Sequence, residues 1–157
     1  MKKQKEKQQK KHDLNRGKEN NSLYLSEKEA KEAILDIGQR MYVRNFVAAN
    51  DGNISIRTGE NEVWATPTGV SKGFMNKKML VKVDLQGNVL EGTHKPSSEL
   101  KMHLRAYQEN PDLRSVCHAH PPICTSFSIA GIPLDVPVLA EADRKSTRLN
   151  SSHRCIS

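Results

Sequence analysis

Apolar residues recur at helical spacing early in the chain: Ala30, Ala33, Ile34, Ile37 and Met41 share one face, opposite Lys28, Lys31, Glu32 and Arg40. Ser26 followed by Glu29 forms a capping box, so the pattern predicts an amphipathic helix from Ser26 to about Phe46. The period then drops to two. Residues 53–57 and 62–66 are short runs rich in β-branched or aromatic residues, and the four residues between them predict a hairpin. A Gly/Pro-rich loop covers 66–73. Residues 80–84 alternate around Val81 and Val83 as a strand, closed by a turn at Gln86, Gly87 and Asn88. Pro96 and Ser97 open a second helix, whose Leu100, His103, Leu104 and Tyr107 share one face and which stops before Pro111. A strand over 115–119 and a third helix from Pro122 to about Ala130 follow, before a turn at 131–133. Helices interleaved with hairpin-linked strands place the chain in the mixed α and β class, with antiparallel pairing.

The 157 residues carry a formal charge of +7, but its distribution changes what it means. Residues 1–19 hold eight Lys/Arg against three acids, and residues 144–157 hold four against none, so residues 20–143 have a net charge of −2. A core of that sign does not track a phosphate backbone, and nucleic acid is not an expected partner. Residues 1–22 read as a disordered Lys-rich leader; no apolar stretch follows the lysines, so they do not form a secretory signal. No run approaches 18 apolar residues, so no membrane span is expected. Cys117, Cys124 and Cys155 form no CxxC pair, and reduced thiols in the cytoplasm are the expectation. Residues 144–157, RKSTRLNSSHRCIS, have no periodicity and no acid, and read as a non-native tail. The folded domain is therefore expected over 23–143.

Three sets of residues can carry chemistry. His118 and His120 bracket Ala119 on the expected strand, so alternation points both imidazoles to one face, as a pair of metal ligands or as surface or core histidines. Pro121 and Pro122 end the strand there, where open sites are commonly built. Glu99 falls in the first turn of the second helix behind Ser97 and Ser98. It serves either the helix dipole or, beside an anion held by free N–H groups and hydroxyls, as an acid or base. The turns at 50–53 and 66–69, with Gly52, Asn53, Thr68 and Gly69, are either ordinary loops or parts of a phosphate cradle. His103, on the apolar helix face, reads as a packed core histidine, and Cys117, alternating away from the histidine pair, as buried structure.

GNISIR at 52–57, TPTGVSKG at 66–73, KPSSELKMHLRAYQENPDLRSVCHAHPP at 95–122 and GIPL at 131–134 resemble the class II aldolase/adducin family, which includes fuculose-phosphate aldolase and ribulose-phosphate 4-epimerase. The resemblance implies a three-layer α/β/α fold with a mainly antiparallel central sheet, incomplete here at the C-terminus, and assembly as a homotetramer with sites between subunits. It further implies phosphate binding by Gly52, Asn53, Thr68, Gly69, Ser97 and Ser98, catalysis by Glu99, and ligation of Zn2+ or another divalent cation by His118 and His120. The substrate it implies is a phosphorylated ketose, cleaved through a metal-stabilised enediolate.

Two departures from the pattern affect that expectation. The family's third histidine ligand comes from a later strand, whereas this sequence stops 37 residues after His120, with His153 at the wrong spacing. Glu99 as a makeshift third ligand would occupy the base. Asn50 stands where the aldolases often have Thr. The alternatives within the resemblance are a sugar-phosphate 4-epimerase or dehydratase and a non-catalytic adducin-like interaction module. Such a module is free to lose Glu99, His118 and His120, and all three are present.

Overall fold

A computed structural model describes residues 23–133 of the chain. The expected leader at 1–22, the segment 134–143 and the expected tail at 144–157, with His153 and Cys155, lie outside the described residues.

The first helix, α1, runs Glu27–Val43. Its capping box is formed as expected: Ser26 Oγ accepts from the Glu29 N–H, and the Glu29 carboxylate accepts from the Ser26 N–H at 3.0 Å. The helix ends three residues before Phe46, because Asn45 turns into the left-handed region at φ 55° and the Phe46 N–H returns to the Met41 carbonyl. Strands β1 (Asn53–Gly59) and β2 (Glu62–Ala65) form the expected hairpin, and β3 (Val81–Val83) pairs with β2. A fourth strand, β4 (Val89–Glu91), follows the turn; its three residues are all exposed, so it offers no alternation by which to recognise it. Asp84 closes that turn by accepting from the N–H groups of Gln86 and Asn88. Helix α2 spans Leu100–Glu109, β5 Ser115–His118 and α3 Pro122–Ile129.

The five strands form one sheet in the order β4-β3-β2-β1-β5, with all four neighbouring pairs antiparallel among the described residues. The pleat divides the core in two. Ile54, Ile56 and Trp64 face α1 and pack with Ala30, Ile34, Met41, Val47 and Leu80. Val63, Ala65, Val81 and Val83 face α2 and pack with Leu100, Leu104 and Tyr107. Helix, sheet and helix are thus three layers, the expected α/β architecture. Each fully buried Ile, Leu or Val contributes about 1.5–3 kcal/mol by leaving water.

Helix α2 begins later than its sequence pattern predicts. Ser98 and Glu99 form a turn, Glu99 is the residue that caps the helix, and Leu100 is its first member. The segment before it is held extended: Pro96 bridges to Pro67, the Ser97 N–H donates to the Thr66 carbonyl and the Thr68 N–H to the Lys95 carbonyl. Ser97 Oγ still accepts from the Glu99 N–H at 3.3 Å. Strand β5 likewise ends at His118, one residue early, leaving His120 beyond the ladder. Cys117 does alternate away from His118, with Sγ 3.4 Å from Met41 Sδ. It is exposed rather than buried, however, because β5 is the outer strand among the described residues.

The sheet is joined to α2 by polar as well as apolar contacts. Ser55, on β1, places Oγ 2.8 Å from both His103 Nδ1 and the Tyr107 hydroxyl, and that hydroxyl donates to the Ser55 carbonyl. Since a carbonyl only accepts, the chain runs in one sense: His103 Nδ1–H to Ser55 Oγ, Ser55 O–H to Tyr107, Tyr107 O–H to the carbonyl. The buried His103 Nε2 is then a bare acceptor, and it has no hydrogen-bond partner. His103 is fully buried, as a core histidine should be. Burial first, and then the neighbouring His118, lower its pKa from 6.5 to about 4, with Glu99 opposing. Burial likewise pushes the Tyr107 hydroxyl up to about 12.

An unfolded His103 takes up a proton near pH 6.5 and the folded one only near pH 4, so folding loses stability as pH falls through that window. Urea denaturation between pH 7 and 4 is expected to show a loss of about 1.4 kcal/mol per unit from this group. The same series on His103→Asn should be flatter by that amount; equal slopes would refute the assignment.

Candidate active site

The site is assembled at one end of the β1–β5 ladder. Asn53 pairs directly with His118, so their side chains project on the same side of the sheet. That is the side of Ser55 and of α2, and Glu99, at the start of α2, meets them there. The Asn53 side-chain amide donates to Glu99 Oε2, and His118 Nδ1 lies 3.3 Å from the same oxygen. Asn53 is buried, whereas the Glu99 side chain is 44% exposed and His118 26%.

His120 reaches the site by another route than strand alternation. Its N–H donates to the Phe46 carbonyl at 2.9 Å, which ties the end of β5 to the turn after α1. The two imidazoles nevertheless converge, with centroids 4.6 Å apart and planes at 60°. One ligand atom from each of Glu99, His118 and His120 lies within 4.8 Å of the others.

This donor set fits a divalent cation. Two imidazole nitrogens and a carboxylate oxygen are ligands that zinc and related ions take. The buried His118 Nδ1 has no hydrogen-bond partner, although it faces a carboxylate oxygen. A lone pair opposed to a carboxylate is repulsive unless a proton or a cation lies between them, so the unpaired nitrogen marks where one is wanted.

The remaining site residues lie on three backbone segments tied to one another. Thr66 accepts through Oγ1 from the Ile54 N–H and donates its own N–H to the Ile54 carbonyl, joining the loop at 66–69 to β1. The Thr68–Lys95 and Ser97–Thr66 hydrogen bonds join that loop to the segment at 95–98. Gly52 and Asn53, Thr68 and Gly69, and Ser97 and Ser98 are thereby carried by one connected frame. The side-chain nitrogen of Asn53 is committed to Glu99, and its Oδ1 is buried without a partner.

Gly52 and Gly69 both have positive φ, at 72° and 71°, but their surroundings differ. A Cβ on Gly52 would stand 2.5 Å from Val47 Cγ1 and 2.8 Å from the His118 carbonyl oxygen, so this glycine lets β5 approach. A Cβ on Gly69 would meet nothing within 4 Å, leaving that loop open to a ligand.

Sequence reasoning gave no role at the site to four contributors. The Phe46 carbonyl positions His120, and Ser55 and Tyr107 hold His103. Lys72, inside the TPTGVSKG motif, is buried with Nζ on the Asn50 and Val70 carbonyls. Only its glycine-loop setting could have drawn attention to it, since a lysine there ordinarily faces water.

The chain is similar in sequence and in fold to known proteins. The sequence profile described as "Class II Aldolase and Adducin N-terminal domain" matches residues 32–153. An L-fuculose phosphate aldolase of Methanococcus maripaludis is 44% identical over 94 residues, 60% of this chain and 51% of that protein. A 3-oxo-tetronate 4-phosphate decarboxylase of Haemophilus influenzae is 37% identical over 98 residues, 62% of this chain and 46% of that protein. The crystal structure of L-fuculose-1-phosphate aldolase from Thermus thermophilus superposes with a TM-score of 0.61 at 26% identity, covering 73% of this chain and 58% of that one. The chain spans about half the length of the curated relatives it matches.

Gly52→Ala should cost roughly 1–3 kcal/mol in chemical denaturation, from steric overlap with Val47 and the His118 carbonyl at a positive φ. Gly69→Ala, with open space around it, should cost about 1 kcal/mol from backbone conformation alone. Equal losses would show that the Gly52 contact with β5 carries no weight.

Proposed function

The chain belongs to the class II aldolase and adducin family, and from that membership we propose that it carries the metal and phosphate halves of a site that cleaves a carbon–carbon bond in a phosphorylated ketose. The observation that supports this most is the convergence of Glu99, His118 and His120 beside a frame of glycine and serine loops. Under this reading His118 and His120 are ligands, Glu99 is both a ligand and the acid/base, and Gly52, Asn53 through the second N–H of its side-chain amide, Thr68, Gly69, Ser97 and Ser98 hold the phosphate.

A divalent cation bound by these residues, zinc in the first instance, supplies Lewis acidity to the carbonyl and hydroxyl oxygens of the substrate. The loops fix the phosphate end, so that the reacting carbons come to Glu99 already oriented. In cleavage between C3 and C4, Glu99 takes the proton of the C4 hydroxyl, C4 becomes a carbonyl, and the C3–C4 electron pair stays with the ketone half. Glu99 returns a proton to C3. The partial exposure of Glu99 lets its carboxyl exchange protons with water between turnovers. Asn53 holds Oε2 in place, which favours one orientation of the carboxylate. A carboxylate engaged as a ligand is not available as a base, so Glu99 would act as the acid/base only while it does not ligate the cation.

The decarboxylase among the relatives favours a second reading, in which the same stabilisation of developing negative charge serves decarboxylation, dehydration or 4-epimerisation of a sugar phosphate. A non-catalytic interaction module has no need of the convergent triad. Assembly as a homotetramer is proposed with the activity, and the exposed Tyr42, Val43, Phe46 and Phe74 offer apolar surface for it beside the site. No helix among the described residues is long and apolar enough to cross a membrane. A cytoplasmic location is proposed on the basis of the free thiols of Cys117 and Cys124.

With His118, His120 and an exposed Glu99 as the donors that converge among the described residues, the 157-residue chain is expected to keep well under one equivalent of zinc after dialysis, by elemental analysis. Under saturating zinc, aldehyde release from L-fuculose 1-phosphate should fall roughly 10²- to 10⁴-fold in Glu99→Gln. Release that ignores both this substitution and metal removal would refute the reading.

A further inference from the structure

Lys72 occupies an unusual position for a lysine. It opens the short 3-10 turn Lys72–Phe74 and is 2% exposed. An ammonium removed from water needs acceptors for three N–H bonds and a charge to offset its own. Its Nζ donates to the Asn50 carbonyl at 3.0 Å and the Val70 carbonyl at 2.8 Å. Helix α1 closes over the turn so tightly that a Cβ on Gly38 would stand 2.8 Å from the Lys72 carbonyl oxygen. Two neutral oxygens solvate the ammonium without neutralising it. The carboxylates whose charge reaches it are Asp51 and Glu99, while burial works against its charged form.

The two carbonyls belong to the two glycine loops. Asn50 lies in the turn that delivers Gly52 and Asn53, and Val70 follows Thr68 and Gly69. We propose that Lys72 is a positioning residue for the substrate phosphate: one buried ammonium clamps the two loops together and keeps a positive charge behind the cradle they form. This rests on the phosphate reading of those loops given above. A clamp alone needs no charge, since a neutral amide could donate to two carbonyls. Beyond its attraction to Asp51 and Glu99, the charge acquires a use when an anion lies in front of it, where Coulomb attraction acts through protein rather than water.

The test uses the whole chain and inorganic phosphate as the probe, read by the amide signals of Gly52, Asn53 and Gly69 and the side-chain 15Nζ signal of Lys72 in NMR. Phosphate should shift all four in the native protein and leave the Nζ signals of Lys77 and Lys78 in place. Lys72→Met should weaken phosphate about tenfold or more. Cobalt(II) binding at Glu99, His118 and His120, followed by visible absorption, should not weaken. Equal phosphate affinity in the variant overturns the role of Lys72 and leaves the cradle standing. A parallel fall in cobalt affinity also overturns it, because the lysine would then support the fold generally. No phosphate binding by the native chain overturns cradle and lysine together. Should the variant fail to fold, the native Lys72 Nζ signal decides: a shift on adding phosphate supports the proposal, and a still signal overturns it.

Discussion

The pairing of Asn53 with His118 across the β1–β5 ladder is the contact on which the candidate site depends. Antiparallel partners project to the same side, so this register alone puts an amide and an imidazole together at the end of the sheet. A slip of one residue would carry His118 to the α1 side and bring Cys117 to the side where Glu99 waits. The register is secured farther along by Ile54 opposite Cys117 and Ser55 opposite Val116, and Ser55 is in turn tied to α2 through His103 and Tyr107. The buried hydrogen-bond chain thus fixes the helix that presents Glu99 to the strand pair that presents the histidine.

Around this register the protein gathers groups that cost free energy to bury. His103 keeps an unpaired ring nitrogen, Asn53 an unpaired amide oxygen and His118 an unpaired ring nitrogen facing a carboxylate. Each is unfavourable in a finished core. These three lie near Glu99, which fits a site built to receive something charged, and they contrast with the apolar packing of Val63, Val81 and Leu104 on the same face of the sheet.

Helix α1 was legible because its signals are local: a capping box and a 3.6-residue period lie within one stretch of chain. The hairpin and β3 were legible for the same reason, through alternation and intervening turn residues. Strand β4 was not, since three exposed residues bury nothing and impose no period. The start of α2 was misjudged because Ser97 and Ser98 have good capping chemistry, and only the Pro67–Pro96 bridge to a distant loop draws that segment out of the helix. Cys117 was expected to be buried from its place in the strand; its exposure follows from β5 standing outermost in the sheet.

Sequence alone supplied the candidate residues for the chemistry and the fold class they occupy, because residue type, cap motifs and periodicity are written into short stretches. It named Glu99, His118 and His120 from pattern and resemblance. Tertiary structure decided that they meet. Contacts such as Asn53 with Glu99, His120 with Phe46 and Lys72 with Asn50 join parts of the chain far apart in order. They follow from strand register and from the closing of loops upon one another. Both are set by the packing of the whole sheet between its helices, and no local pattern records that.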